Sequence, residues 1–262
     1  MNAPAMASLE PAGDGVSWLT LNREETRNAI DWDMLETIHR VLDEAEASTQ
    51  LRVVLIRSAL PRVFVAGGDI AVMRDVTLVD GSRFVYAGQR LLRRLEESPI
   101  VFIAVVGGFA LGGGLELTLA CDLVVASESA AFSFPETRLG LLPGWGGTQR
   151  IVRAISPQRA RELVYTGRRI DAREAFEYGF VNRVVAPDEL EGAALELATE
   201  VLKSSPTAVS QSKRALVQGS RASLDQGLVI EAEAWLANLS SPNRVEGLSA
   251  FLEKREPRFT TD

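Results

Sequence analysis

The sequence predicts an α/β protein, with strands alternating with helices around a buried sheet. Two observations lead there. "VSWLTL" (Val16–Leu21) and "RVVLIRS" (Arg52–Ser58) are rich in β-branched residues and bounded by turn formers, which marks them as strands. The stretch between them, "DWDMLETIHRVLDEAEA", carries its apolar residues at helical spacing.

That first helix has Asp31 or Asp33 available as its N-cap. A second round follows, with a helix across "RFVYAGQRLLRRLEES" and the strand "IVFIAVVGG" after Pro99. A helix opened by three glycines comes next, Gly112, Gly113 and Gly114, then strands at "DLVVAS" (Asp122–Ser127) and "AAFSF" (Ala130–Phe134). After about Val185 only helical patterns remain, beginning with "LEGAALELATEVLKSS" and ending with "SPNRVEGLSAFLEKREP". The expected division is an α/β core over residues 1–200 and a helical region over 201–262, with a loose tail over residues 1–14. No sequence repeat stands out at the period of a solenoid.

A chain of 262 residues with 46% hydrophobic and 24% charged content has the make-up of a globular protein with a sizeable core. Its net charge of -7 argues against a nucleic-acid partner, which would require a basic face. One histidine, His39, and one cysteine, Cys121, cannot assemble the usual zinc site, so no metal is expected. A lone cysteine also fits a reducing, cytoplasmic setting. No apolar run reaches the roughly 18 residues of a membrane span. The first residues lack the basic start and apolar centre of a secretion signal.

Familiar catalytic devices are missing. "GGFALGGG" is followed by no lysine and hydroxyl residue, so it is not a phosphate-cradling Walker loop. There is no G-x-S-x-G, and His39 lies in the charged stretch "ETIHRVLDE", as a solvated helix residue would. Cys121 reads as an ordinary buried thiol.

Three stretches carry the remaining chemistry. In "FVAGGDI" (Phe64–Ile70) a strand runs into glycines and then Asp69; this fits either a turn with a capped helix or a bare N–H at Gly68 offered to an anion. In "FALGGGLELTLACDLVV" (Phe109–Val125) three glycines open an otherwise apolar helix, at roughly 1 kcal/mol each against alanine in a helix interior. The helix N-terminus supplies free N–H groups and partial positive charge, so Gly113 could lend an unobstructed donor. Glu116, three residues on, lies on the same face, where a carboxylate is costly to bury. Glycine packing and a paired structural glutamate would explain the same residues. In "FSFPETRLGLLPGWGGTQR" (Phe132–Arg150), Glu136 precedes a glycine-rich loop that fits either a surface turn or a rigid mount for acid–base chemistry.

Taken together and in order, "LNREETRNAI", "FVAGGDI", "FALGGGLEL", "CDLVVAS", "FPETRLGLLPGWGGTQR" and "EGLSAFLEKREPRF" resemble the enoyl-CoA hydratase/isomerase (crotonase) family over nearly the whole chain. The resemblance implies a spiral of repeated ββα units with a C-terminal helical trimerisation region, and a homotrimer or a hexamer of paired trimers. It implies a hydratase that adds water across the 2,3 double bond of a 2-enoyl-CoA thioester. Coenzyme A would then be part of the substrate, with no separate cofactor.

Residue by residue, the resemblance maps the oxyanion hole to the N–H groups of Gly68 and Gly113. Glu116 would help activate the attacking water. Glu136 would protonate Cα and share the hold on that water, helped by the N–H of Gly144. Coenzyme A would lie over Arg27, Asn28, Ala29 and Ile30 and along Ala66, Gly67, Asp69 and Ile70, with Phe251 and Lys254 reaching the cofactor of a neighbouring subunit. Many relatives carry a phosphate-side lysine where this chain has Ala71, which leaves Arg74 as the candidate replacement. The alternatives are a double-bond isomerase of the same family, which typically needs one working carboxylate, and a non-catalytic binding relative. Both glutamates are present, which favours the hydratase.

Overall fold

The computed structural model describes residues 5–261. The chain enters on a sheet edge, where β1 (Ala7–Gly13) pairs antiparallel with β2 (Val16–Leu21). The expected loose tail over residues 1–14 is thereby corrected, because residues 7–13 are strand; residues 1–4 lie outside the described residues. Pro11 had disguised the strand. It sits where the β1–β2 register shifts, on an edge that tolerates a residue without an N–H.

Helix α1 (Trp32–Ala47) follows, its N-terminus closed by Asp31, whose carboxylate accepts the N–H of Met34 at 2.9 Å. From here strands come in pairs that divide between two sheets. β3 (Val53–Ser58) joins the first sheet and β4 (Val63–Val65) the second, before the short α2 (Ile70–Arg74) and the long α3 (Leu78–Glu97). β5 (Val101–Val106) and β6 (Phe109–Leu111) repeat the division, followed by α4 (Gly113–Ala120). β7 (Leu123–Ser127) and β8 (Ala131–Ser133) repeat it again, followed by α5 (Gly147–Ala154). Strands β3, β5 and β7 are mutually parallel, as are β4, β6 and β8. This is the ββα spiral: each turn adds one strand to each sheet and then a helix.

The chain continues through α6 (Pro157–Thr166), β9 (Ile170–Asp171), α7 (Ala172–Tyr178) and β10 (Arg183–Val185). The first sheet then runs β1-β2-β3-β5-β7-β10 and the second β4-β6-β8-β9. Alternation along β3 and β5 gives the first sheet two buried faces. Val54, Ile56, Phe102 and Ala104 face the main core with α1 and α3. Val53, Leu55, Val101, Ile103 and Val105 face Leu190, Ala194 and Ala198 of α8 (Leu190–Leu202).

The last helices are α9 (Pro206–Gly219), α10 (Leu224–Leu239) and α11 (Pro242–Glu253). Both α9 and α11 begin Ser-Pro, the serine capping the helix and the proline filling a position that needs no N–H. Lys213 of α9 is buried and donates to the Leu95 and Ile100 carbonyls and to Asp122, tying this region to the core. Trp235, Leu236, Leu248, Phe251 and Leu252 nevertheless stand exposed on α10 and α11. No helix among the described residues is long and apolar enough to cross a membrane.

Candidate active site

Helix α4 runs through the main core, and Glu116 is its one charged residue, 2% exposed among leucines. The three glycines before it are each required by a neighbour. Gly112 has φ +52°, and a methyl carbon there would also lie 2.8 Å from Glu136 Oε1. A methyl carbon on Gly113 would lie 2.8 Å from Cζ3 of Trp145 and 3.4 Å from the Gly68 nitrogen. One on Gly114 would strike the Val65 carbonyl of β4.

The nitrogens of Gly68 and Gly113 are therefore neighbours, although 45 residues of chain or so separate them. Gly113 is the first residue of α4, so its N–H has no partner within the helix. Gly68 forms a parallel bridge with Ile30 in which Gly67 O accepts from Ile30 N and Ile30 O accepts from Asp69 N. That pattern turns the N–H of Gly68 itself away from Ile30. Two bare donors thus converge beside the N-terminus of a buried helix, which is the requirement for holding a developing oxyanion.

Glu116 Oε1 accepts two backbone hydrogen bonds, from Trp145 N and Gly147 N, each at 2.7 Å. Glu136, in a 3-10 turn over Pro135–Leu139, has a buried Oε2 with no hydrogen-bond partner among the described residues. A buried carboxylate oxygen without a donor costs free energy, and a catalytic role is one of the few reasons a native structure keeps one. Burial pushes the Glu116 carboxyl up to about 7, against the pull of the Gly147 and Trp145 N–H bonds. Burial likewise raises Glu136 to about 7, and the Glu116 charge adds to the rise. Near neutral pH the pair can hold one proton and one negative charge, the state that acid–base chemistry needs.

Segments 27–30 and 66–70 lie side by side, because Ala66 N donates to Arg27 O, Ile30 N to Gly67 O and Asp69 N to Ile30 O. Arg27 and Asn28 both adopt left-handed backbone, φ +57° and +56°. Asn28 is fully buried and holds the turn, its amide donating to Ser58 Oγ and the Phe64 carbonyl. Arg23 clamps the same region through Asp31 at 2.7 Å and the Ala29 carbonyl at 2.8 Å. Ala29 and Ile70 lie at the surface next to Gly68, with Ile70 exposed and Gly67 buried beneath them. Arg74 is exposed and paired with its neighbour Asp75 at 2.7 Å. Gly144 contributes its carbonyl to Gln89 Nε2 at 2.8 Å. Phe251 and Lys254, at the end of α11, are joined to these segments by no hydrogen bond among the described residues, and Phe251 is 81% exposed.

His39 and Cys121 stand apart from this constellation. His39 on α1 lies 3.4 Å from an Arg94 nitrogen, and burial and that guanidinium lower its pKa. Burial pushes the Cys121 thiol up, away from nucleophilic character.

Two participants escaped the sequence. Trp145 is buried, with its ring edge-on to Phe84 at 5.3 Å between centroids. Arg150 donates from Nη1 to the Trp145 carbonyl at 2.8 Å and grips Glu96 through Nε and Nη2. Glu96 also accepts from Arg221, so this network braces the loop that holds Glu116. Gly88 was the available signal for Trp145. It interrupts the strong helical pattern of α3 because a methyl carbon there would lie 2.3 Å from the indole.

The chain belongs to the enoyl-CoA hydratase/isomerase family, whose family model matches residues 12–262. It is 39% identical over 243 residues to the short-chain-enoyl-CoA hydratase of Clostridium acetobutylicum, covering 92% of each chain. It is 38% identical over 241 residues to the crotonyl-CoA hydratase of Syntrophomonas wolfei, covering 92% of this chain and 93% of that one. Among solved structures, an enoyl-CoA hydratase from Bacillus anthracis superposes with a TM-score of 0.93 at 38% identity, covering 98% of this chain and all of the other.

Proposed function

We propose that the protein is an enoyl-CoA hydratase that adds water across the 2,3 double bond of a 2-enoyl-CoA thioester. The observation that carries the reading is the pair of buried carboxylates, one held by two N–H groups and the other with an unpartnered oxygen, beside two bare backbone donors.

The thioester oxygen sits between the N–H groups of Gly68 and Gly113, which stabilise the enolate charge that builds as water attacks. The two N–H bonds to Glu116 favour its ionised form, and this suits it as the base that takes a proton from water. Glu136 has no such bonds on Oε2 and keeps the proton, which it delivers to Cα. The water oxygen bonds to Cβ, so one hydroxyl and one proton are added. Gly144 offers its N–H to the same water. Proton exchange with solvent then restores the pair. These groups supply every proton movement, so coenzyme A enters only as part of the substrate.

Arg27, Ala29, Ala66, Asp69 and Ile70 offer the coenzyme A surface, which the buried Asn28, Ile30 and Gly67 hold in shape from beneath. Arg74 can exchange Asp75 for phosphate, since an exposed pair of this kind is worth little. The exposed apolar side chains of α10 and α11 support a homotrimer, or a hexamer, in which a neighbour's Phe251 and Lys254 complete the site. The core over residues 1–200 would then carry the chemistry and 201–262 the assembly. The single Cys121 fits a reducing, cytoplasmic setting.

A panel of short, long, branched and aromatic 2-enoyl-CoA esters, with a 3-enoyl ester beside them, tests the reading. Hydration of at least one 2-enoyl ester is expected. Conversion of the 3-enoyl ester without hydration would identify an isomerase instead.

A further inference from the structure

The Trp145 indole packs against Gly113, one of the paired donors, and Trp145 also lines a separate cavity. On one side its six-membered ring lies against Gly113, where a methyl carbon would meet Cζ3 at 2.8 Å and Cε3 at 3.1 Å. Its pyrrole side lies against Gly88 of α3, where a methyl carbon would fall 2.3 Å from Nε1 and Cε2 and 2.4 Å from Cδ1. Phe84 packs edge-on to it, and Trp32 packs edge-on to Phe84, each pair 5.3 Å apart. Trp145 and Gly146 also line a cavity of about 710 Å³, together with Arg90, Arg93, Arg150 and Arg153 and with Tyr86 and Val217.

We infer that Trp145 is the floor of the acyl pocket and restricts the enzyme to short 2-enoyl chains, a deduction that rests on the hydratase reading above. In that reading the thioester oxygen is fixed between Gly68 and Gly113, and Glu116, whose carboxylate accepts the backbone N–H of Trp145, directs the water at Cβ. Carbons beyond Cβ therefore start beside the indole. Gly88 packs against the pyrrole edge of the ring and Phe84 meets it in a T-shaped pair, so a swing of the ring would have to displace α3. The cavity that Trp145 also lines mixes Arg90, Arg93, Arg150 and Arg153 with Tyr86 and Val217, so it is not a dedicated apolar lining for an alkyl tail. Gly88 and Gly113 are the matching half of the device: each leaves out the side chain that would displace the indole.

The test is the ratio of kcat/KM for 2-octenoyl-CoA to that for crotonyl-CoA, in wild type and in Trp145→Ala. The hydrogen bond to Glu116 comes from the backbone, so the substitution leaves that donor in place. Pocket contacts discriminate by about 10- to 200-fold per methylene, so wild type should favour crotonyl-CoA by at least tenfold. Trp145→Ala should raise the octenoyl-to-crotonyl ratio by about tenfold or more. A general loss of structure would lower both values and leave their ratio alone. Should Trp145→Ala not fold, Trp145→Phe should shift the ratio the same way by a smaller factor. The dissociation constants of saturated butyryl-CoA and octanoyl-CoA, measured by calorimetry, should show the same preference and the same shift. Wild type that treats both lengths alike, or a folded variant with an unchanged ratio, would overturn the inference while leaving the hydratase reading intact. Wild type that hydrates neither ester but binds butyryl-CoA more tightly than octanoyl-CoA would refute the hydratase reading and support the pocket floor.

Discussion

Gly147 donates its N–H to Glu116 Oε1 at 2.7 Å, and its missing side chain is what lets the carboxylate come so close. A methyl carbon on Gly147 would lie 2.9 Å from Glu116 Cγ and Oε1 and 2.7 Å from Phe134. Gly147→Ala should therefore push Glu116 off its two donors. Overpacking of this kind typically costs about 1–3 kcal/mol of stability. Loss of the base's alignment should lower kcat by about 10²-fold or more. Urea denaturation and steady-state kinetics on crotonyl-CoA measure the two effects. A variant with native turnover would show that the carboxylate's position does not depend on this contact.

The proposed oxyanion hole can be separated from the space around it. Gly113→Ala adds only a methyl group against Trp145, whereas Gly113→Pro also removes the N–H, at a first helical position where proline is tolerated. Proline should be worse than alanine by the value of one donor, about 10² to 10³ in kcat. Equal kcat in two variants with native circular dichroism would place the second donor elsewhere.

Both chemistry and stability should depend on pH near 7. With Glu116 and Glu136 each raised to about 7, kcat/KM should trace a narrow bell centred close to neutrality, its limbs belonging to the pair. For stability the sign is fixed by burial. The Glu116 carboxyl titrates at 4.5 when free and at about 7 when folded, so its protonated form favours the fold. That contribution is full below pH 4.5 and is lost as pH rises through 7. The shift corresponds to roughly 3 kcal/mol. Glu116→Gln should therefore be more stable than wild type at pH 8, and the difference should vanish near pH 4.5. Urea midpoints at the two pH values check this, and a constant difference would contradict it.

Assembly should be needed for substrate affinity. Phe251→Ala and Lys254→Ala should raise KM for the coenzyme A ester by about tenfold while kcat changes little, as loss of uniform binding requires. Sedimentation of wild type should give a trimer or larger. A fully active monomer would remove the shared site.

The legible parts of this protein were those where chemistry forces an unusual residue into an ordinary pattern. Glu116 in an apolar helix and three glycines at its start conflict with local propensity, and the conflict marks the site. The two-sheet spiral was less visible from periodicity. Strands β4, β6 and β8 have three residues each and β9 has two, too few to display alternation. β1 was hidden by Pro11, which a sheet edge accepts. Trp145 was hidden differently, because its loop reads as a glycine-rich turn and its partners Gly88, Phe84 and Gly113 come from distant parts of the chain. The Arg150–Glu96–Arg221 bracing is likewise a product of tertiary packing.

The most direct test of the central claim is the hydration of crotonyl-CoA by wild type, Glu116→Gln, Glu136→Gln and the double variant, followed as loss of the enoyl-thioester absorbance. Each substitution keeps the side-chain shape and removes one titrating group. Each single variant should lose about 10² to 10⁴ in kcat. The double variant should lose far less than the product of the two, because in the proposed mechanism both carboxylates act on one water. Coenzyme A ester affinity should stay near wild type in all of them. Wild-type protein that hydrates no 2-enoyl-CoA, or a Glu136→Gln variant that hydrates it at the wild-type rate, would contradict the assignment.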